Sequence, residues 1–363
     1  MKVLHVITTL NRGGAETMLA GLCRLPGDRV KPAVAVLLPK GLLVEELHAA
    51  GVEVLELGFG RRLPNPFGLL KLVAWIRRNR PDVVQGWMYH ADLTALLALW
   101  LSGRRNRTVL AWGIRCSDMD LARYSAVLRG VVRLCARLSR LPDVVIANSE
   151  AGRRVHAALG YRPRHFAVVH NGIDADRFSP DPAARAAVRA ELGIPDDSVV
   201  FIHVARVDPM KDHAGFLDAM ARLPDAVGIM VGRDTETLPP QDNVIALGQR
   251  SDIARLLNCA DAVVSSSAYG EGFSNAIAEG MASGLTPIAT DVGDARMLVG
   301  ATGYVVPPSN VEDIVQAMRA FAALPASQRE AMGSAARDRI RTEFTLDGAA
   351  RRMEATYHAI RTV

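Results

Sequence analysis

The feature that most constrains the fold of this chain is an alternation of short β-branched runs with helix-length segments, which occurs twice. Such runs predict buried strands joined by helices, as in βαβ units with a parallel sheet. The first series of predicted strands lies at residues 3–9, 34–38, 52–57, 83–85, 108–111, 144–147 and 166–169. The second lies at residues 199–204, 227–231, 244–246, 262–265, 286–289 and 304–306. The sequence therefore predicts an α/β protein with two doubly wound, Rossmann-like domains.

The two series are separated by residues 170–182, HNGIDADRFSPDP, whose Gly, Asn, Asp and Pro residues indicate a turn or linker. We place the domain boundary near residue 175, which assigns residues 1–175 to the first domain and 176–345 to the second. The segment from about 346 to 363 is predicted to be a helix with no strand after it. Ligands bind such sheets at the carboxyl ends of the strands, so we expect the motifs there to face a shared cleft.

Composition limits the class of protein. The chain has 363 residues, of which 49% are hydrophobic and 22% charged, as in globular proteins. Its start reads directly into a strand without the pattern of a signal peptide, and its four scattered cysteines form no CxxC pair. We expect a cytoplasmic protein without a zinc site. Aromatic residues make up only 5% and no nucleic-acid module is recognisable, so nucleic acid is not an expected partner.

Charge is distributed unevenly along the chain. Residues 1–175 hold 25 Lys and Arg against 13 Asp and Glu, a net +12, whereas residues 176–363 hold 18 against 25, a net −7. The first half is therefore expected to meet an anionic surface or ligand. Within it, residues 121–141 predict a basic amphipathic helix with Arg129, Arg133 and Arg137 at intervals of four. This helix could lie on an anionic bilayer or pack as an ordinary surface helix, and both alternatives stay open.

The most informative motif is residues 270–293, GEGFSNAIAEGMASGLTPIATDVG. Glu271 stands in a Gly-rich turn, Ser274 and Asn275 open a predicted helix, and Glu279 lies one turn inside it. A helix start offers backbone N–H groups to a diphosphate. The inner glutamate suits ribose hydroxyls and the loop glutamate suits a sugar, so the pattern predicts a nucleotide-sugar site.

Two cations follow the predicted strand at residues 199–204. Arg206 and Lys211 lie on a loop with Pro209, where they could clamp a diphosphate and stabilise charge on a departing one. The alternative is that both are solvated surface residues. Their position at a strand end favours the functional interpretation.

Three weaker candidates lie in the first half. Gly13 and Gly14 follow the first strand and open a helix, which suits an anion or an ordinary turn. His90 follows the strand at 83–85 and could bond a sugar hydroxyl, or cap a helix. Arg115 could meet an acceptor phosphate, or pair with Asp118 or Asp120.

In this order, Gly13-Gly14, Asn171-Gly172-Ile173-Asp174, Arg206 with Lys211, and Glu271 with Glu279 resemble the retaining glycosyltransferases of family 4. The resemblance covers nearly the whole chain. Its specific part is EGFSNAIAEGMASGLTPIATDVGD, which is similar to that family's E-x7-E region. The chain departs from the usual pattern at His170, at Gly232–Asp234 and at Thr286.

The resemblance implies a GT-B fold, with the acceptor bound by the first domain and the nucleotide-sugar by the second, and a C-terminal helix crossing back to the first domain. It implies that Glu271 contacts the sugar, Glu279 the ribose, and Arg206 and Lys211 the diphosphate, while His90 reaches the sugar. It implies no cofactor and no divalent metal. The further donor contacts that it implies are Gly13, Gly14, Gln249, Arg250, Gly272, Phe273, Ser274 and Asn275.

The predicted activity is transfer of a hexose or N-acetylhexosamine from a nucleotide-sugar, with UDP favoured, to a sugar or lipid-linked sugar in cell-surface polysaccharide assembly. The predicted location is the cytoplasm or the inner face of its membrane. Three alternatives stay open: a transferase with a soluble acceptor, a GT-B sugar-nucleotide epimerase, and a binding protein without catalysis.

Overall fold

The computed structural model describes residues 1–11, 13–25, 27, 29–39, 41–60, 65–117 and 125–361. The chain divides into two compact units. Unit 1 comprises Met1–Gly172 and the C-terminal segment from Leu346, and unit 2 comprises Ile173–Thr345. The predicted boundary near residue 175 lies close to the division after Gly172.

Unit 1 contains, within the described residues, a seven-stranded sheet in which all neighbouring strands are parallel. The strand order is β3-β2-β1-β4-β5-β6-β7. Helices cover both faces, which explains why strands such as VVIA at Val144–Ala147 are buried throughout. The strands are β1 Lys2–Ile7, β2 Lys31–Val36, β3 Glu53–Glu56, β4 Val83–Trp87, β5 Val109–Ile114, β6 Val144–Ala147 and β7 Phe166–Val168. The helices are α1 Gly14–Arg24, α2 Val44–Ala49, α3 Pro66–Asn79, α4 Tyr89–Leu101, α5 Ala126–Leu138 and α6 Glu150–Ala158.

Unit 2 contains, in the part of the chain that the structure describes, a six-stranded parallel sheet with the order β10-β9-β8-β11-β12-β13. Its strands are β8 Val200–Val204, β9 Val227–Val231, β10 Val244–Ala246, β11 Ala262–Ser265, β12 Thr286–Thr290 and β13 Tyr304–Val306. Its helices are α7 Pro182–Leu192, α8 His213–Ala221, α9 Ile253–Leu257, α10 Asn275–Ala282, α11 Ala295–Val299, α12 Val311–Ala322 and α13 Ala326–Glu343. The final helix, α14 Leu346–Arg361, belongs to unit 1.

Local sequence explains where α7 starts and stops. Asp181 accepts hydrogen bonds from Ala183 N and Ala184 N, and Pro182 occupies the first helical position. Gly193 ends the helix in the left-handed conformation, with φ of 66°.

The C-terminal helix α14 packs on the α1 side of the unit 1 sheet. Met353 and Tyr357 are buried there with residues of β1 and β4. Tyr357 Oη donates to Gln85 Oε1 in β4. A Cβ atom on Gly21 of α1 would come within 3.1 Å of Leu346, so the two helices approach closely. The prediction that the last helix returns to the first domain is confirmed.

Candidate active site

The strand order of unit 2 reverses between β8 and β11, and the loops after these two strands carry the predicted diphosphate and sugar contacts. Ligands of doubly wound sheets bind at such a reversal, outside the carboxyl ends of the strands. Arg206 and Lys211 follow β8, and Glu271 follows β11. The topology therefore brings together two motifs that are 60 residues apart in sequence.

Hydrogen bonds fasten the loop after β8 to the loop after β11. Ser266 Oγ donates to the carbonyl oxygens of Lys211, at 3.0 Å, and Asp212, at 2.8 Å. Ala268 N donates to Met210 O at 2.9 Å. Asp212 has a φ of 48° and caps α8 by accepting from Gly215 N at 3.1 Å. The hydrogen bonds from Ser266 and Ala268, together with the cap by Asp212, therefore fix the backbone around Lys211.

Lys211 and Glu271 form an ion pair between Nζ and Oε1. Ser267 Oγ donates to the same carboxylate oxygen at 2.9 Å. Burial alone would raise the pKa of Glu271, but Lys211, Ser267 and Arg206 together outweigh it and hold that pKa below its ordinary value. Glu271 is therefore an ionised and oriented carboxylate at neutral pH, suited to accepting hydrogen bonds from hydroxyl groups.

Arg206 is the more accessible of the two predicted cations. Its side chain is 51% exposed, and Nη2 donates to Asp208 Oδ2 at 2.8 Å. Asp208 also accepts from Met210 N at 3.1 Å and so caps the short 3-10 turn Pro209–Lys211. The guanidinium is thus held near the loop while remaining open to an anion, for which it has unused donors.

The turn before α10 is fixed by the loop that follows β12. Asp294 N donates to Gly272 O at 3.0 Å. A Cβ atom on Gly293 would lie 2.3 Å from Glu271 O, so only glycine allows this approach at its φ of 66°. Phe273 is buried, with its ring centroid 5.5 Å from that of Phe344. The predicted contacts Gly272, Phe273, Ser274 and Asn275 therefore lie in a rigid strand-to-helix turn.

Glu279 lies on α10, on the turn after Asn275. Burial raises the pKa of its carboxyl to about 7, although Arg177 acts in the opposite direction. A Cβ atom on the next residue, Gly280, would come within 2.5 Å of Val263 in β11. The helix therefore packs directly on the sheet, and the Glu279 carboxyl is held where ionisation is costly.

The loop from Gly248 to Arg250, which the family resemblance implies to lie at the edge of the donor base, follows β10. Gly248 N donates to Thr235 Oγ1 at 3.0 Å, and Gly232 N donates to Gly248 O at 2.9 Å, so the ends of β9 and β10 are joined. Gln249 is exposed. Arg250 makes two hydrogen bonds to Asp252, at 2.9 and 2.8 Å. A base contact from Arg250 stays a prediction, and it would have to compete with Asp252.

In unit 1 the strand order reverses between β1 and β4, where Gly13, Gly14 and His90 lie. Gly13 precedes α1, and a Cβ atom there would lie 2.5 Å from Glu16 Oε2. Glu16 Oε1 also accepts from Thr9 Oγ1 at 2.7 Å. The sequence interpretation missed Glu16, whose carboxylate folds back over the start of α1, where an anion was expected.

His90 is the second residue of α4 and is exposed. The preceding turn is strained, because Met88 has a φ of 72° without being glycine. Met88 N donates to Gly113 O at 2.8 Å, and its sulfur accepts from Arg115 N at 3.3 Å. The neighbouring strand β5 thus holds the turn that presents His90.

Arg115 is packed inside unit 1. Its guanidinium carbon lies 4.0 Å from the centroid of the Trp87 ring, and Nη1 donates to Asn171 Oδ1 at 3.2 Å. Nε and Nη2 are buried and have no hydrogen-bond partner among the described residues. Burial lowers the pKa of Arg115 to about 10. Arg115 as a whole is only half-buried, so its contact with an acceptor phosphate stays a prediction; the alternative partners Asp118 and Asp120 lie outside the described residues.

Two buried histidines beside the Lys211 loop are absent from the sequence prediction. His203 Nδ1 bonds to Val264 O at 3.0 Å, and His213 Nε2 bonds to Ala205 O at 3.2 Å. Their ring centroids are 4.8 Å apart, and burial lowers the pKa of His203 to about 3. His213 thereby fixes the carbonyl just before Arg206. No periodic pattern marks either residue, so sequence alone gave no signal for them.

The described residues contain neither a candidate metal site nor a candidate membrane-spanning helix. Among residues 1–361, outside the gaps given above, there is no group of three or more His, Cys, Asp or Glu side chains that could hold a metal ion. Over the same residues, none of the helices has the length and apolar character needed to cross a membrane.

Two family profiles match consecutive parts of the chain. The profile described as "Glycosyltransferase Family 4" matches residues 12–177, and that described as "Glycosyl transferases group 1" matches residues 184–339. The chain belongs to the group 1/family 4 glycosyltransferases. Its two Rossmann-like sheets with the returning C-terminal helix are the GT-B fold. The matches cover both units.

Two individual relatives match 47% and 80% of this chain. D-inositol 3-phosphate glycosyltransferase of Mycobacterium sp. strain KMS is 32% identical over 190 residues, which is 47% of this chain. That match covers 43% of the relative, so this chain spans less than half the length of the first curated proteins it matches. EpsF of Bacillus subtilis is 28% identical over 322 residues, or 80% of this chain and 79% of EpsF.

One solved structure shares the fold over its full length. HepE of Anabaena, crystallised in complex with UDP-glucose, superposes with a TM-score of 0.84 at 21% identity. The superposition covers 99% of this chain and 100% of HepE. The similarity confirms the predicted architecture.

Proposed function

We propose that this family member is a retaining glycosyltransferase that moves a hexose or N-acetylhexosamine from a UDP-sugar to a sugar or lipid-linked sugar. The observation that carries the proposal is the Lys211–Glu271 ion pair at the strand-order reversal of unit 2. This pair supports the proposal because it joins a cation, which suits a diphosphate, to an ionised carboxylate, which suits sugar hydroxyls. The crystallised complex of HepE with UDP-glucose supports the choice of donor.

In the proposed reaction, Lys211 and Arg206 stabilise the negative charge that develops on the leaving diphosphate. The acceptor hydroxyl attacks the anomeric carbon on the face that the diphosphate leaves, so the configuration is retained. The bond from that carbon to the diphosphate oxygen breaks as the new glycosidic bond forms, and a donor phosphate oxygen takes the hydroxyl proton. Glu271 orients the sugar, and Glu279 accepts from the ribose.

The acceptor and the pathway are the least constrained parts of the proposal. The net charge of +12 over residues 1–175 supports an anionic acceptor or surface, as expected in cell-surface polysaccharide assembly at the inner face of a membrane. The D-inositol 3-phosphate glycosyltransferase relatives favour a second candidate, a soluble phosphorylated acceptor. Transfer assays with a lipid-linked sugar and with an inositol phosphate separate the two.

Donor binding tests the proposal directly. Calorimetry with UDP-, GDP-, ADP- and dTDP-sugars should show binding of a UDP-sugar, and NMR of the product should show the same anomeric configuration as the donor. Binding of none of these sugars would refute a donor site. Incubation with the UDP-sugar alone tests for an epimerase, which would release an epimerised nucleotide-sugar without any acceptor.

Lys211→Ala should lower turnover by two or more orders of magnitude, because about 3 kcal/mol is typical for losing one group that stabilises transition-state charge. The matched control is Lys31→Ala, an exposed lysine at the start of β2, which should leave turnover unchanged. Near-normal turnover of the Lys211 variant would contradict the assigned role. Activity that persists in a chelator is expected, because the two cations supply the positive charge in this proposal.

A further inference from the structure

The outer surface of the three helices α3, α4 and α5 in unit 1 exposes large apolar side chains. The helices are neighbours, since α3 packs against α4 and α4 against α5. Their inner sides are buried on the sheet. We call their outer surface the three-helix face. Its exposed apolar side chains, each between 44% and 79% accessible, are Phe67, Leu70, Leu97, Trp100, Leu101, Val127 and Leu134.

This concentration of apolar side chains is unusual for the molecule. Among the described residues, seven of the eight exposed large hydrophobic side chains belong to the three-helix face, and Leu42 is the eighth. On α4 they follow helical spacing, because Trp100 and Leu101 lie three and four residues after Leu97. Exposed apolar side chains concentrated on neighbouring helices are typical of a protein–protein or membrane interaction site.

The charge of the same helices identifies the partner. Their described residues include one acid, Asp92, which is buried and accepts from Gly113 N at 3.1 Å. The basic residues of the three helices are Lys71, Arg77, Arg78, Arg129, Arg133 and Arg137. Apolar side chains framed by cations fit an anionic bilayer, where the former enter the headgroup region and the latter meet lipid phosphates. A second copy of the same face would be repelled by its own charge.

We propose that the three-helix face docks on an anionic lipid bilayer, with Trp100 inserted at the lipid interface and Arg129, Arg133 and Arg137 against the headgroups. This inference goes beyond the proposed chemistry and does not rest on it. It widens the sequence expectation, which involved only the helix at residues 121–141; residues 121–124 of that helix lie outside the described part.

The tryptophans allow insertion to be measured on the unmodified protein. The chain has four, and Trp75, Trp87 and Trp112 are buried, whereas Trp100 is 59% exposed. Quenching by a bilayer-bound quencher, in phosphatidylcholine vesicles with or without phosphatidylglycerol, therefore reports on Trp100. We expect quenching only with phosphatidylglycerol, and weaker binding at high salt. Equal quenching with both vesicle types, or none, would overturn the proposal.

Matched variants locate the surface. Arg133→Glu should weaken vesicle binding at least about fivefold, the contribution of a single basic residue at an anionic surface. Arg154→Glu, an exposed arginine on α6, is the charge control. Trp100→Ser should weaken binding by a similar factor, and Leu42→Ser is the apolar control. Equal losses in the controls, or a change of oligomeric state in Trp100→Ser without vesicles, would overturn the assignment in favour of a protein partner.

A donor titration on the same variants separates this inference from the proposed function. UDP-sugar affinity in the absence of vesicles should be unchanged in Arg133→Glu and Trp100→Ser, which also shows that they are folded. Vesicle binding without any nucleotide-sugar binding would support the docking surface while refuting the donor site. Donor binding without vesicle binding would support the donor site while refuting the docking surface.

Discussion

Single side chains of unit 2 show how the candidate site holds two carboxylates in different states. Glu271 is kept ionised by Lys211, Ser267 and Arg206, which outweigh its burial. Glu279 lacks comparable support, and burial raises its pKa to about 7. Two carboxylates eight positions apart therefore have opposite pKa shifts. The roles of the two carboxylates, one for a sugar and one for a ribose, stay part of the proposed function.

The raised pKa of Glu279 predicts a dependence of stability on pH. The folded protein keeps this proton above the ordinary pKa of 4.5, so folding loses free energy as pH rises from there through about 7. Glu279→Gln removes the penalty, of the order of 3 kcal/mol at pH 8 for a shift of this size. Thermal denaturation should show the variant gaining stability over wild type between pH 5 and pH 8. Glu45→Gln, an exposed control, should show no such trend.

The same variant should bind a UDP-sugar more weakly, because a neutral amide is a poorer acceptor for ribose hydroxyls than a carboxylate. Calorimetry at pH 8 measures this. An unchanged affinity would remove Glu279 from the donor site while leaving the stability result intact.

Among the elements of unit 2, the loop after β11 supports the loop after β8. Ser266 lies at the end of β11 and bonds two successive carbonyl oxygens of the other loop. Sequence reasoning found both loops, because each follows a β-branched run. It could not find their connection, since Ser266 meets Lys211 only after the sheet order sets β8 beside β11.

Ser266→Ala should lower the free energy of unfolding by about 1–3 kcal/mol, because it removes the single hydroxyl proton that two partly buried carbonyl groups share. It should also weaken UDP-sugar binding, since Lys211 loses a support. Ser283→Ala is the matched control: Ser283 is buried, and its hydroxyl has no hydrogen-bond partner among the described residues. Chemical denaturation and calorimetry measure both effects. Equal losses in the two variants would contradict the supporting role of Ser266.

Strands could be predicted from the sequence where burial on both faces requires apolar residues throughout. The predicted run at residues 262–265 coincides with β11, whereas the run at 108–111 found only the start of β5, Val109–Ile114, because Trp112 and Gly113 interrupt the β-branched pattern. Parallel strands covered on both faces must be apolar throughout, which makes them visible. Side-chain partners such as Asp252 for Arg250, or Trp87 for Arg115, depend on packing that no local pattern encodes.

At the scale of the whole molecule, each unit has its own hydrophobic core, and α14 completes that of unit 1. We therefore expect calorimetric unfolding to resolve two transitions. A UDP-sugar should raise mainly the transition of unit 2, which holds Arg206, Lys211, Glu271 and Glu279, because ligands stabilise the part that binds them.

Tyr357→Phe should lower the unfolding temperature of unit 1, because Gln85 in β4 loses the hydroxyl that donates to it. Tyr304→Phe, in β13 of unit 2, should leave the unfolding temperature of unit 1 unchanged. If Tyr357→Phe moved only the transition that the donor raises, the assignment of α14 to unit 1 would be contradicted.

Gly280 carries a consequence for how this site can evolve. Since any side chain there would collide with Val263, α10 packs directly against β11 at this position. The absence of a Cβ atom on Gly280 thus sets how deeply Glu279 lies. A lineage could vary the residues around the proposed sugar site and so acquire a new donor preference, but replacing this glycine would displace Glu279, the proposed ribose contact. We expect natural variation to spare position 280 while it reshapes the rest of the pocket.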